Sequence, residues 1–184
     1  MGGTFKVRGA FSNILALTDS ERSAGVTCVS AGNHAIAVAY AAQRMDVGAK
    51  VVIVKNASPA RVALCRRYGA EVVFAENVAE AFEVVRCVEA EEGRVFIHPF
   101  NGYRTVLGTA TLGYEWTSQA PDLDAVIVPI GGGGLAAVYR RQCGSPIRRC
   151  TFMAWNRPAR TRCAAASPRI TRSRWARCIA SPIR

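Results

Sequence analysis

An α/β fold, with parallel sheets covered by helices on both faces, is the architecture this sequence predicts. From about residue 24, short β-branched runs alternate with helical stretches. The runs are apolar throughout, as strands buried on both faces are. With 184 residues, half of them hydrophobic, the chain can form one substantial domain or two small ones.

The elements follow in order. "GGTFKVRGAF" (2–11) sets a glycine pair, a hydroxyl residue, an aromatic and a lysine before a helix-forming run. "GVTCVS" (25–30) reads as a buried strand and the alanine-rich "NHAIAVAYAAQRM" (33–45) as a helix. "AKVVIV" (49–54) is a second strand, and "SPARVALCRRYG" (58–69) a helix with Ser58 at its N-cap, Pro59 at its first position and Gly69 at its stop. "AEVVFA" (70–75), "VAEAFEVVRCVEAEEG" (78–93) and "RVFIH" (94–98) continue as strand, helix, strand. A helix around 104–118 and the strand "DAVIVPI" (124–130) precede "GGGG" and a further helix start.

The net charge of +11 is unevenly placed. Residues 140–184 hold twelve arginines and neither lysine nor acid, so 1–139 carries the other twelve basic residues against thirteen acids, a net −1. The body therefore has no electrostatic reason to seek phosphate backbones. The tail has two readings: an arm that grips nucleic acid, with Trp155 or Trp175 assisting, or a GC-rich gene read out of frame. Its abrupt onset inside a βα unit favours the second. No apolar run approaches the roughly 20 residues of a membrane helix, and no secretory signal is evident. Seven irregularly spaced cysteines suggest reduced thiols and a cytoplasmic protein.

Three stretches carry potential chemistry. Lys6 on residue type alone is a solvated charge; as a nucleophile it must be desolvated and neutral, and Phe5 offers a flat apolar wall beside it. "SAGNHA" (30–35) places Ser30, Gly32 and Asn33 where unpaired helix amides receive a carboxylate or phosphate, though such residues also serve simply as caps, and His34 reads as a structural histidine. "PIGGGGLA" (129–136) has the glycine-rich backbone of a phosphate cup, without the spacing of a P-loop or a dinucleotide fold.

Together, "TFKVRGA", "SAGNHAIAVAYAA", "RRYGAEVV", "IHPF" and "VPIGGGGLAA" resemble threonine dehydratase (threonine ammonia-lyase) and its serine dehydratase and serine racemase relatives. These are pyridoxal-phosphate enzymes of the tryptophan-synthase-β class, fold type II. The resemblance implies that Lys6 is the Schiff-base lysine and later removes the substrate's α-proton. It implies that Phe5 lies against the cofactor ring and that Asn33 bonds its phenolic oxygen. Gly131, Gly132, Gly133, Gly134 and the Leu135 amide would hold the phosphate. The backbone of Ser30, Ala31, Gly32, Asn33 and His34 would receive the substrate carboxylate. No metal is implied.

The implied reaction converts L-threonine, with L-serine as a second candidate substrate, into a 2-oxo acid and ammonia. Ala31 stands where racemases of the family carry a second serine as opposite-face acid, which favours elimination over racemisation. Departures include Ile36, where glutamine is usual, and Gly108-Thr109-Ala110-Thr111, where the family has Gly-Gln-Gly-Thr. The implied organisation is a catalytic core at 1–139, with the smaller domain at roughly 24–103 flanked by parts of the larger, and an arginine-rich tail at 140–184, disordered or out of frame. Several dozen residues before Lys6 and the rest of the larger domain are expected to be missing, leaving an impaired enzyme. A homo-oligomer is expected of the full-length family. A serine racemase-like enzyme, or a non-catalytic α/β module with a nucleic-acid-binding tail, is the alternative.

Overall fold

The structure, a computed structural model, describes residues 3–123, 125–130, 133–136 and 151–155. The chain divides into two units, Met1–Leu112 and Gly113–Arg184.

The first unit opens with α1 (Lys6–Ile14) and α2 (Asp19–Ala24). It continues as β1 (Val26–Val29), α3 (Asn33–Arg44), β2 (Ala49–Val54), α4 (Pro59–Arg67), β3 (Glu71–Ala75), α5 (Val78–Glu92) and β4 (Val95–Phe96). The four strands form one parallel sheet in the order β3-β2-β1-β4. β1 is buried along its whole length because it is central and covered on both faces, which is why its sequence is apolar without alternation. Helices flank both sides, as the strand–helix alternation predicts. On one face α3 packs among β1, β2, α1 and α4, and Ala35, Ala37, Val38, Ala39 and Ala41 are all but inaccessible. Five alanines in "NHAIAVAYAA" let the helix lie against several neighbours at once. On the other face Ala81 and Val85 of α5 meet Val29 of β1 and Val52 of β2. Burying each valine here contributes about 1.5–3 kcal/mol.

Helix ends follow local chemistry with one departure. Thr18 and Glu21 form a reciprocal capping box at the start of α2, an arrangement of about 1 kcal/mol. Ser58 does occupy the N-cap of α4 with Pro59 at its first position, but its side chain makes no capping bond; its carbonyl accepts from the Arg61 and Val62 amides. Gly69 follows α4 at φ +78°, as its stop residue should.

α6 (Tyr103–Gln119) begins in the first unit, where it crosses α1 closely. A Cβ on Gly108 would lie 2.3 Å from the Arg8 carbonyl oxygen, and one on Gly9 3.2 Å from the Thr105 carbonyl oxygen. Asn13 Nδ2 donates to the Gly9 carbonyl (2.7 Å) and to Thr105 Oγ1 (3.0 Å), and Arg8 Nη1 donates to Thr111 Oγ1 (2.8 Å). The Gly108–Thr111 departure is thus accommodated: Thr109 Oγ1, buried, donates to the Thr105 carbonyl at 2.8 Å.

In the second unit β5 (Ala125–Pro129) pairs in parallel with β6 (Thr151–Trp155). β6 lies in the arginine-rich stretch, whose composition did not suggest a strand. "TFMAW" is a five-residue run without a charge, and averaging over 140–184 conceals it. The remainder of that stretch, with Trp175, lies outside the described residues. Among the described residues no helix is long and apolar enough to cross a membrane, and Cys28, Cys65 and Cys87 are free thiols.

Candidate active site

The strand order sets the site. Chain direction across the sheet reverses between β1 and its neighbour β4, and ligands of open parallel sheets bind beyond the strand ends at such a switch point. Residues 30–34 leave β1 there and residues 97–100 leave β4. Ile97 extends the pairing, its amide donating to the Thr27 carbonyl at 2.9 Å.

Lys6 enters this place from α1, as that helix's first residue. Its Nζ donates to the Pro99 carbonyl and lies 5.1 Å from the centre of the Phe5 ring. The side chain is half-buried, and loss of hydration lowers its pKa below the ordinary lysine value. The close α1–α6 crossing fixes the helix that carries it. Lys6 is therefore no ordinary solvated terminal charge.

His34, in the first turn of α3, is 3% exposed, and its Nε2 is 2.8 Å from the Ile97 carbonyl. That carbonyl only accepts, so Nε2 carries the proton and Nδ1 is the bare nitrogen, buried with no partner among the described residues. Burial, aided by the charge of Lys6, pushes its pKa from 6.5 down to about 4. The unfolded histidine takes up its proton near pH 6.5 and the folded one near pH 4, so between these values the unfolded state binds more protons. Stability from this group is complete above pH 6.5 and falls as the pH drops towards 4, by about 3 kcal/mol in all. Urea midpoints at pH 7 and pH 4.5 should show this loss, and His34→Gln, which does not titrate, should reduce the difference.

The loop between β1 and α3 leaves the first amides of the helix without a side-chain cap. Ser30 Oγ accepts from the Gly32 amide at 3.1 Å, and Gly32, the N-cap, has no side chain to cap the amides that follow. Ala31 and Asn33 are exposed, and Arg61 of α4 brings its guanidinium to within 3.3 Å of where a Gly32 Cβ would stand.

The structure thus gathers Phe5, Lys6 and His34 with residues 97–99, and places the 30–33 loop at the neighbouring strand end. Of the proposed phosphate cup it describes Gly133, at φ +88°, and Gly134 and Leu135, which are helical; these lie in the second unit. Gly131 and Gly132 lie outside the described residues. Two contributors were not foreseen as such, although "IHPF" contains them. One is the Pro99 carbonyl. The other is His98, whose Nδ1 accepts from the Phe100 and Asn101 amides at 3.3 and 3.0 Å, and whose pKa is lowered by burial and then by Lys6.

These residues fit pyridoxal phosphate. A lysine amine eased towards its neutral form suits the aldehyde, the Phe5 ring suits an aromatic face, and uncapped helix amides suit anionic groups. Comparison with known proteins agrees. The family model described as pyridoxal-phosphate dependent enzyme matches residues 1–153. A phenylserine dehydratase of Ralstonia pickettii is 74% identical over 135 residues, covering 73% of this chain and 41% of that protein. A catabolic L-threonine dehydratase of Escherichia coli is 42% identical over 140 residues, again covering 73% and 41%. The structure of maize serine racemase superposes with a TM-score of 0.77 at 36% identity, covering 83% of this chain and 47% of that one. The chain spans about two-fifths of the length of these curated relatives, and by the extent of the family match it belongs to the pyridoxal-phosphate dependent enzymes.

Proposed function

We propose that this chain carries the lysine side of a dehydratase site for 3-hydroxy amino acids, releasing a 2-oxo acid and ammonia. The observation that carries this reading is the half-buried Lys6, its pKa lowered and its Nζ held on the Pro99 carbonyl at the sheet's switch point. The 74% identity to a phenylserine dehydratase, against 42% to a threonine dehydratase, favours a 3-aryl substrate over threonine or serine.

Pyridoxal phosphate, when bound, supplies an aldehyde for the substrate amine and a ring that takes up the electron pair left at Cα. The protein's residues do the rest. Neutral Lys6 Nζ accepts the Cα proton, and the Pro99 carbonyl limits where that nitrogen can stand. The first amides of α3, with Asn33, hold anionic and phenolic oxygens, and Gly133, Gly134 and Leu135 hold phosphate together with Gly131 and Gly132. Phe5 covers the ring. The proton leaves Cα for Lys6 Nζ, the Cβ–O bond breaks with its electron pair on oxygen, that oxygen takes a proton from the Lys6 ammonium and departs as water, and hydrolysis of the resulting enamine yields the 2-oxo acid and ammonia. Ala31 has no proton to return to the opposite face, which supports elimination over racemisation.

The test is product analysis with the cofactor-loaded chain. L-threo-3-phenylserine should yield phenylpyruvate and ammonia with a higher kcat/KM than threonine yields 2-oxobutanoate. Accumulation of the Cα epimer of the substrate, or no 2-oxo acid from either compound, would contradict the reading.

A further inference from the structure

Phe100 is 42% exposed and follows half-buried His98 and Pro99. A phenyl ring so placed can lack a ring partner, but this one has one. Its ring meets that of His98 edge-on, 4.6 Å between centres and 89° between planes. His98 meets Phe96 at 5.6 Å, and Phe96 meets Phe82 of α5 at 6.3 Å. The Phe100 amide is itself bound to His98 Nδ1. Four rings thus run in a string from the α5 face of the sheet to the surface, each in contact with the next.

Pro99, between the two outermost rings in sequence, provides the carbonyl that receives Lys6 Nζ. The ring pair therefore stands one residue from the acceptor of the reacting amine. His98 offers no charge there: burial and Lys6 both disfavour its protonation. Lys6 is near enough to His98 to act on it electrostatically, and a neutral aromatic pair beside the amine suits an apolar substituent on the carbon next to Cα, and suits a flat one best.

We propose that Phe100, backed by His98, is the specificity residue for the substrate's β-substituent and that it selects an aryl group over a methyl. This rests on the dehydratase reading and extends it from reaction to recognition. An aryl ring can take the offset or edge-on arrangement that the string already uses, whereas a methyl group buries much less area.

Binding tests this without turnover. L-Phenylalanine and L-2-aminobutyrate carry the phenyl and methyl groups but no β-hydroxyl to expel, so both can be titrated calorimetrically into the cofactor-loaded full chain. Phenylalanine should bind about tenfold more tightly. Phe100→Ala should weaken phenylalanine about five- to tenfold while 2-aminobutyrate changes less than twofold, and Phe100→Tyr should restore the preference. Equal weakening of both ligands, or of neither, in a Phe100→Ala chain with an unchanged melting temperature would overturn the proposal. So would equal affinity of the unaltered chain for both. If cofactor is captured at Lys6 and that equality is found, only the specificity assignment fails; if no cofactor is captured, the dehydratase reading fails with it.

Discussion

Lys6→Ala should lower turnover of a 3-hydroxy amino acid by about 10²–10⁴-fold, the usual contribution of a positioned acid–base group, while leaving the fold intact. The side chain is half-buried and bonded to one carbonyl, so its loss removes little packing. What disappears is the one described amine that burial moves towards neutrality at the sheet's switch point. Lys6→Arg should fail nearly as badly. The guanidinium keeps the charge and could still donate to the Pro99 carbonyl, but it does not deprotonate at any working pH. Steady-state rates beside far-ultraviolet circular dichroism separate the two effects. An Arg variant with more than a tenth of the original kcat would show that Lys6 acts only as a positive charge.

The largest structural effect is expected at Gly108. In Gly108→Ala the new Cβ would lie 2.3 Å from the Arg8 carbonyl oxygen, 2.7 Å from the Arg8 carbonyl carbon and 2.8 Å from Gly9 Cα. All three are backbone atoms of α1, so no side chain can swing aside, and the helices must part. The expected loss is about 3 kcal/mol, at the upper end for overpacking. Gly69→Ala is the control. Gly69 has φ +78° with nothing within 4 Å of its absent Cβ, so only backbone strain remains, about 1 kcal/mol. Urea denaturation with unchanged m-values should resolve the pair. Arg8 is two residues from Lys6, so the same substitution should also displace the amine. Equal losses at the two glycines would contradict the close crossing.

These two expectations draw on different layers of the sequence. The α/β class and the strands from β1 to β3 are legible because buried parallel strands leave uninterrupted β-branched runs, and α3 to α5 because caps and glycines mark their ends. α2 is not, since "DSERSA" has no apolar face and only the Thr18–Glu21 spacing betrays it. β6 is hidden by the arginines around it. In the site, the motifs around Lys6 and residues 30–34 can be read directly, yet their meeting with residues 97–99 depends on β4 pairing beside β1. Strand order is a long-range property that no local pattern encodes. The Pro99 carbonyl leaves no signal for a further reason: every residue has one. Gly108 similarly gives no sign of its contact, because a glycine within a helix usually only weakens it.

Lys6 is proposed as the amine that takes the cofactor, and peptide mapping tests that role. The chain is incubated with pyridoxal phosphate, reduced with borohydride, digested and analysed by mass spectrometry. One stoichiometric pyridoxyl adduct is expected on the peptide containing Lys6, forming with an apparent pKa below that of Lys50 or Lys55, each of which is raised chiefly by a hydrogen bond to a glutamate. Labelling spread over Lys50 and Lys55, with Lys6 no more reactive than they are, would contradict it.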